Sequence, residues 1–173
     1  MKEDLTPITG ERPSEAARRS QMMPDFRAAV AAYGMPLSWV LAFAAHETAF
    51  RNIRSAPGQR DDVLGGSFGP MQVSSVVAKE LGCMPFTSHA ARGEWILNDA
   101  ARGIDLGTRY LLKLARRVGG DLARVAAAYN AGPGAVLGNK IPRTTRERYV
   151  PAILALQKRY ASLDAVAETD AIG

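Results

Sequence analysis

Glycine and proline divide this sequence into segments of helical length, and that division constrains the fold more than any other feature. Gly34, Gly82 and the pair Gly119-Gly120 each follow a segment that is expected to be helical. In the segment before Gly119, a stripe recurs at helical spacing: Ile104, Gly107, Leu111, Leu114 and Val118. Such spacing predicts an amphipathic helix, and glycine is a frequent residue at helix C-termini. We identify no convincing pair of strands, no internal repeat and no linker. The sequence therefore predicts a mostly α-helical protein.

Capping residues predict where these helices begin. Ser14 is expected to cap the first helix, and Pro24 to start a fresh turn within that region. Asn98 is expected to cap a longer helix, and Asp121 a short one. Residues 51–70 contain four glycines and two prolines, which predicts a long loop. A long loop inside a compact domain is usually functional.

Composition limits the kinds of partner and cofactor. The 173 residues are 47% hydrophobic and 23% charged, as in a globular domain with a core. A net charge of +5 suits an anionic partner, such as nucleic acid, phospholipid or an acidic wall polymer. No nucleic-acid-binding signature or phosphate loop is present, so we expect no nucleic acid. Cys83 is the single cysteine, and His46 and His89 have no metal-binding motif around them. We expect neither a metal nor a cofactor.

Glu47 is the first candidate for chemistry. It lies at the C-terminal end of an apolar segment, WVLAFAAHETAF, that is predicted to be helical. The partial negative charge of a helix C-terminus disfavours an anion, and partial burial acts in the same direction. Both effects raise the pKa of a carboxyl group towards the value that a general acid needs. A surface glutamate at a frayed helix end is the alternative.

Two further segments place polar groups beside glycines. In residues 65–72 the glycines allow the backbone to approach a ligand closely, and Gln72 offers both a donor and an acceptor. In residues 126–134 a short alanine-rich helix stops abruptly at Gly-Pro-Gly, which fixes Tyr129 and Asn130 at the rim of the core. The structural alternatives are a tight turn that leads into a helix, and a core tyrosine beside a C-capping asparagine.

Four ordered motifs resemble those of the soluble lytic transglycosylases, which belong with goose-type lysozyme. The motifs are Glu47-Thr48-Ala49-Phe50, Ser67-Phe68-Gly69-Pro70-Met71-Gln72, Ala128-Tyr129-Asn130-Ala131-Gly132 and Arg148-Tyr149-Val150. The resemblance covers roughly residues 36–156. It implies a single-domain, lysozyme-like helical fold with a glycan-binding cleft. We expect a catalytic domain at 36–163, an N-terminal helical extension packed on it at 1–35, and a C-terminal tail at 164–173.

The resemblance also implies roles for individual residues. Glu47 would protonate the oxygen that links N-acetylmuramic acid to N-acetylglucosamine, and would then act as a base. Thr48 stands where a serine is usual and would contact the saccharide or position the glutamate. Tyr129 would lie beside Glu47, with Asn130 near an N-acetyl group. Tyr149 would support the catalytic carboxyl group from the last helix. The other residues assigned to substrate binding are Ser67, Phe68, Met71 and Gln72.

Departures from the family pattern leave the reaction open. Pro70 replaces the usual leucine, and the glutamate that often precedes the final tyrosine is absent or displaced, so Glu147 is left out of the site. A lytic transglycosylase needs one glutamate, because the C6 hydroxyl of its substrate closes a 1,6-anhydro ring. Asp61 and Asp62 keep a goose-type hydrolase as the alternative, since goose-type lysozymes carry a water-orienting aspartate in a similar loop. A non-catalytic wall-binding module is a third interpretation.

The biological setting follows from the proposed substrate. We expect a monomer that binds peptidoglycan glycan strands in the periplasm or cell wall. The first fifteen residues lack the apolar centre of a signal peptide. This favours a phage lysin that waits in the host cytoplasm or a virion enzyme, with a secretion-system transglycosylase or a sequence trimmed of its signal as alternatives. Basic residues near the last helix make anionic outer-membrane lipid a second candidate partner, against a solvated helix face: Arg143, Arg146, Arg148, Lys158 and Arg159.

Overall fold

The chain folds into packed helices with one small β-hairpin, as the computed structural model of residues 8–55, 66–83 and 88–164 shows. The helices are α1 (Pro13–Tyr33), α2 (Leu37–Thr48), α3 (Ser75–Glu80), α4 (His89–Leu97), α5 (Ala100–Val118), α6 (Leu122–Ala131), α7 (Pro133–Leu137) and α8 (Val150–Tyr160). A π-helical turn (Thr145–Tyr149) leads into α8, and a 3₁₀ turn (Ala161–Leu163) follows it. The predicted mostly α-helical class is confirmed.

Helix α2 occupies the centre of the core. The run Val40–Ala44 is fully buried, and α2 packs most extensively against α8, with α1 on another side. A helix that is apolar all round is stable only where neighbours cover every face. The packing of α2 therefore holds its last turn in a fixed position, in which Glu47 is half-buried.

Several predicted helix ends are confirmed. Gly34 and Gly119 end α1 and α5 in the left-handed conformation, with φ of 64° and 98°. The Asp121 carboxylate accepts from the backbone N–H of Arg124 at 3.0 Å and so caps α6. Each of these residues satisfies backbone groups that a helix end leaves unpaired.

Three predictions about helix starts are wrong. Helix α1 begins at Pro13 with Arg12 before it, so Ser14 is not its cap. Proline suits this first position because its fixed φ is already helical. Pro24 lies inside α1 and starts no new segment, because the buried face with Met23 and Phe26 continues past it. Asp99, rather than Asn98, caps α5 and accepts from Ala101 N–H at 3.0 Å; Asn98 ends α4.

The expectation that the chain has no strand pair is also wrong. Strands β1 (Ser67–Phe68) and β2 (Val73–Ser74) form an antiparallel hairpin, with Ser67 opposite Ser74 and Phe68 opposite Val73. A strand of two residues has no alternation for a sequence pattern to display. The hairpin turns through the predicted glycine segment and leads directly into α3.

The two ends of the described chain contact the helical body. The boundary predicted at residue 36 falls between α1 and α2, and the C-terminal tail predicted from residue 164 begins at the last described residue. Asp164 accepts from the backbone N–H of Ser38 at 2.7 Å and from its hydroxyl at 2.6 Å. Within the described residues, no helix has both the length and the apolarity that crossing a bilayer requires.

Candidate active site

A cleft of about 310 Å³ opens where the end of α2, the hairpin, α5 and α6 meet. Four residues assigned to the site by sequence line it together with Glu47, and four others were not anticipated. The described lining residues are Glu47, Ser67, Gln72, Val73, Ser74, Val77, Tyr110, Tyr129 and Asn130. Segments far apart in the chain thus bring the predicted acid, the glycine turn and the Tyr-Asn pair into one concave surface.

Glu47 lies half-buried in the last turn of α2 and faces this cleft. The Tyr149 hydroxyl, from the π-helical turn before α8, donates a hydrogen bond to its Oε1. Tyr149 is itself buried, and its ring meets His46 edge-on at a centroid distance of 4.7 Å. A carboxyl group held in this way has a fixed position in the cleft, which proton transfer to a bound ligand requires.

The two site tyrosines keep their protons over a wide pH range. Burial, and then the charge of the nearby Glu47 carboxylate, raise the pKa of Tyr149 and of Tyr129 well above the ordinary value. Tyr149 is therefore a permanent donor to Glu47. The Tyr129 hydroxyl donates to the Met71 carbonyl at 2.7 Å, and so joins α6 to the hairpin.

Thr48 lies behind the cleft rather than on its surface. Its side chain is 2% exposed, and its hydroxyl is 2.8 Å from the Pro70 carbonyl. The same oxygen accepts from the backbone N–H of Arg51 at 3.0 Å. Of the two roles that the resemblance implied for Thr48, this geometry fits positioning, because these bonds join the end of α2 to the hairpin turn.

The hairpin is anchored by the side chains of Phe68 and Met71, which are 1% and 0% exposed. Phe68 lies over Gly93 of α4, and Met71 lies over Gly107 of α5; a Cβ at those glycines would fall 2.1 Å and 2.5 Å from the two side chains. Only glycine permits such close approach. These two predicted substrate-binding side chains point into the core, so in this structure they hold the hairpin in place.

Ser67 and Gln72 line the cleft. The Gln72 backbone has a φ of 50°, a left-handed conformation that is unusual for a residue other than glycine. Its side-chain amide donates to the carbonyls of Ile53 and Gly69 at 3.0 Å and 3.1 Å. With both amide hydrogens in use, the carboxamide oxygen is the group that remains for a ligand.

Asn130 is exposed on the opposite wall of the cleft. Its side-chain oxygen accepts a hydrogen bond of 2.6 Å from the hydroxyl of Thr145, which is 2% exposed. Thr145 was not among the predicted site residues. Its partner lies fifteen positions away in another element, and no local sequence pattern records such a contact.

Tyr110 is the most prominent lining residue that sequence reasoning missed. Its ring lies 5.5 Å from the ring of Tyr129, centroid to centroid, and continues the aromatic wall of the cleft along α5. It directly precedes Leu111, which belongs to the apolar stripe of the segment before Gly119. The sequence signal that could have identified Tyr110 is a large aromatic residue at the edge of an apolar stripe. The others that were missed are Val73, Ser74 and Val77.

Two further expectations concern carboxylates and metals. Asp61 and Asp62, which kept the hydrolase alternative open, lie outside the described residues. Within residues 8–55, 66–83 and 88–164, no group of three or more His, Cys, Asp or Glu side chains is arranged to hold a metal ion. Among the described residues that line the cleft, Glu47 alone carries a carboxyl group.

Comparison with solved structures places this arrangement in a known fold. The 70-kDa soluble lytic transglycosylase of Escherichia coli has 23% sequence identity and a TM-score of 0.65, over 87% of this chain and 28% of that one. An inactive mutant of the lytic transglycosylase Slt from Pseudomonas aeruginosa has 21% identity and a TM-score of 0.63, over 88% and 28%. A complex of the 70-kDa soluble lytic transglycosylase with bulgecin A has 24% identity and a TM-score of 0.66, over 87% and 26%.

These likenesses show the fold, and the chain spans just over a quarter of the length of the proteins it matches. The family assignment has separate support. The family model described as the transglycosylase SLT domain matches residues 24–149, which include the end of α2, the hairpin, α5, α6 and the π-helical turn. That range contains every described residue that lines the cleft, and the chain belongs to the transglycosylase SLT domain family.

Proposed function

We propose that this chain is a peptidoglycan lytic transglycosylase that acts at the cell wall, with Glu47 as its acid and base. The observation that carries the proposal is the carboxyl group of Glu47, the one carboxyl group among the described lining residues, held by the Tyr149 hydroxyl in a cleft lined with hydrogen-bonding groups. A cleft of this kind suits a glycan, which presents hydroxyl and acetamido groups along its length.

The chemistry that we propose needs no second carboxylate. The Glu47 carboxyl proton passes to the glycosidic oxygen as the bond from N-acetylmuramic acid C1 to that oxygen breaks. The C6 hydroxyl of the same N-acetylmuramic acid then forms a bond to C1 and gives its proton to the Glu47 carboxylate. The products are a strand ending in N-acetylglucosamine and a 1,6-anhydro-muramoyl end, and Glu47 is regenerated. Proximity of the C6 hydroxyl replaces a separate water molecule.

The first test replaces Glu47 with glutamine. Glu47→Gln keeps the size of the side chain and an acceptor for Tyr149, but it removes the transferable proton. We expect the rate of muropeptide release from purified sacculi to fall by about 100- to 10,000-fold, because general acid–base catalysis contributes on that order. Glu80→Gln is the matched control, since Glu80 is exposed and pairs with Lys113 outside the cleft. Wild-type rates in Glu47→Gln would refute the assignment.

Product analysis separates the two reaction types. Digestion in heavy-oxygen water, followed by mass spectrometry, is expected to give anhydro-muramoyl ends that contain no heavy oxygen. A hydrolase that uses two carboxyl groups would instead give reducing ends labelled at the anomeric position. That result would favour the muramidase alternative. The separate substitutions Asp61→Asn and Asp62→Asn would then test which aspartate assists water. Release of no fragment by the wild-type chain would favour the wall-binding module.

A further inference from the structure

The π-helical turn Thr145–Tyr149 contacts two residues that line the cleft, Glu47 and Asn130. At its end, the Tyr149 hydroxyl donates to Glu47; at its start, the Thr145 hydroxyl donates to the Asn130 side-chain oxygen at 2.6 Å. A π-helical turn is rare, and single turns of this kind occur frequently at functional sites. Here the wider turn lets two residues separated by four positions each direct a hydroxyl group to a different cleft residue.

The bond from Thr145 determines which face of the Asn130 amide is available. A carboxamide has an oxygen that accepts and a nitrogen that donates twice, and an exposed asparagine can rotate to offer either. Because the bond from Thr145 turns the oxygen toward the π-helical turn, the nitrogen is the group that Asn130 offers to a ligand. Thr145 is buried, so water does not compete well for its hydroxyl.

We infer that Thr145 is a positioning residue that makes Asn130 a hydrogen-bond donor to the carbonyl oxygen of an acetamido group on the substrate. The inference rests on the proposed function for the identity of the substrate. A site built to donate to one group discriminates against an analogue that lacks it, because the donor is then left unpaired. Thr145 therefore sets a preference for N-acetylated over de-N-acetylated glycan without contacting the glycan.

The test compares kcat/KM for N-acetylated and chemically de-N-acetylated peptidoglycan strands. We expect the wild-type chain to prefer the acetylated strand by about tenfold, the value of one hydrogen bond at the upper end of its usual range. Thr145→Val keeps the shape but removes the donor, and should reduce this ratio to about two or less. Thr145→Ser keeps the hydroxyl group and should restore the wild-type ratio. Asn130→Ala should remove the preference, and adding Thr145→Val to it should change nothing further.

Thr108→Val is the matched control. Thr108 is a fully buried threonine whose hydroxyl donates to the Ile104 carbonyl within α5 at 2.8 Å, away from the lining residues of the cleft. The same substitution there should leave the ratio at its wild-type value. A ratio that is unchanged in Thr145→Val and reduced in Asn130→Ala would overturn the role of Thr145.

A second measurement does not depend on activity. In a ¹⁵N-correlated NMR spectrum, the Asn130 side-chain amide should give two well-separated proton signals in the wild-type and Thr145→Ser chains. In Thr145→Val these signals should move and broaden. Adding N-acetylchitotetraose should shift the amide signals, whereas fully de-N-acetylated chitotetraose should not. Identical Asn130 signals in wild type and Thr145→Val would overturn the inference even if the chain cleaves peptidoglycan. Acetyl-dependent shifts in a chain that cleaves nothing would support it while the catalytic proposal failed.

Discussion

At the scale of single residues, the Tyr149 hydroxyl is the group through which the C-terminal part of the chain reaches Glu47. The tyrosine is buried, and its raised pKa keeps it protonated as a donor. The contact spans 102 positions in the sequence. Its consequence is that the orientation of the Glu47 carboxyl depends on the packing of the turn before α8.

We predict that Tyr149→Phe lowers kcat on purified sacculi by about 10- to 100-fold, with a smaller change in KM. The carboxyl group loses the donor that fixes it, but it keeps its own proton, so the loss should be below that of removing the acid. Phenylalanine keeps the ring that packs against His46.

Tyr33→Phe is the control for this substitution. The Tyr33 hydroxyl donates to the Asp105 carboxylate at 2.5 Å, outside the residues that line the cleft. The Tyr33→Phe chain loses the same kind of hydrogen bond and should keep the wild-type kcat. Equal effects of the two substitutions would argue for a general loss of stability rather than a role at Glu47.

The sequence was sufficient to propose Glu47, Tyr129 and Asn130 for one site through the resemblance of their motifs to those of the lytic transglycosylases; from helix-end position alone, each had a structural alternative. Their roles toward a substrate stay predictions. The orientation of Met71 could not be predicted, since it depends on a glycine of α5 thirty-six positions later that leaves room for its side chain. Thr145 was missed for the same reason: its role comes from a partner in another element.

At the scale of elements, the turn that follows Glu47 is strained. Ala49 and Phe50 both have left-handed backbone conformations, with φ of 52° and 59°. Arg18 of α1 donates to the Ala49 carbonyl at 2.8 Å, and Phe50 is fully buried between Phe26 and Tyr160, with both ring centroids at 6.0 Å. These contacts offset the strain and hold the turn in place.

We predict that Ala49→Gly raises the free energy of unfolding by about 0.5–1 kcal/mol in urea denaturation. A left-handed alanine costs about 1–2 kcal/mol, of which glycine recovers the steric part and loses about 0.5–1 kcal/mol in chain entropy. Ala45→Gly, in the helical part of α2, should instead lower stability by about 1 kcal/mol. Destabilisation by both substitutions would show that Ala49 carries no strain.

Long elements were easier to predict than short ones. Helix α5 has an apolar face and a glycine stop that a sequence displays plainly, and Gly34 marks the end of α1. The hairpin has only two residues in each strand, and its formation depends on Phe68 and Met71 being held by other helices. Neighbouring asparagine and aspartate at 98 and 99 are both good caps, and because Asn98 ends α4, Asp99 is the residue that caps α5.

At the scale of the whole molecule, the segments that flank the helical body are joined to each other. Glu11 and Arg19 form an ion pair of 2.9 Å with side chains 0% and 1% exposed, and the Tyr160 hydroxyl lies 3.3 Å from Glu11. Removing one partner of a buried ion pair strongly destabilises the folded state, because the other charge is left buried and unpaired. The sequence gives no indication of the contact between Glu11 and Tyr160, because these two residues are 149 positions apart.

Tyrosine ionisation is expected to make the stability of the whole fold depend on pH. All five tyrosines have raised pKa values, and burial is the largest cause for each. An acid whose pKa is higher in the folded state binds its proton more tightly there. Its contribution to stability is complete below the unfolded pKa of about 10 and is lost as the pH rises above it. We therefore expect the free energy of unfolding to fall above pH of about 10, by about 1.4 kcal/mol per pH unit for each tyrosine that ionises only on unfolding.

Tyrosinate absorbance and far-ultraviolet circular dichroism, recorded together during an alkaline titration, measure this directly. The folded chain should show little tyrosinate at the pH where a urea-unfolded sample is half ionised, and tyrosinate should appear together with loss of helical signal. Tyr129, Tyr149 and Tyr160 should be the last to ionise in the folded state, because a nearby carboxylate adds to the effect of burial in each case: Glu47 for Tyr129 and Tyr149, and Glu11 for Tyr160. If all five tyrosines ionised near the unfolded pKa while the helical signal persisted, the cleft would be open to solvent. Tyr149 could then not hold the Glu47 carboxyl in the way that the proposed chemistry requires.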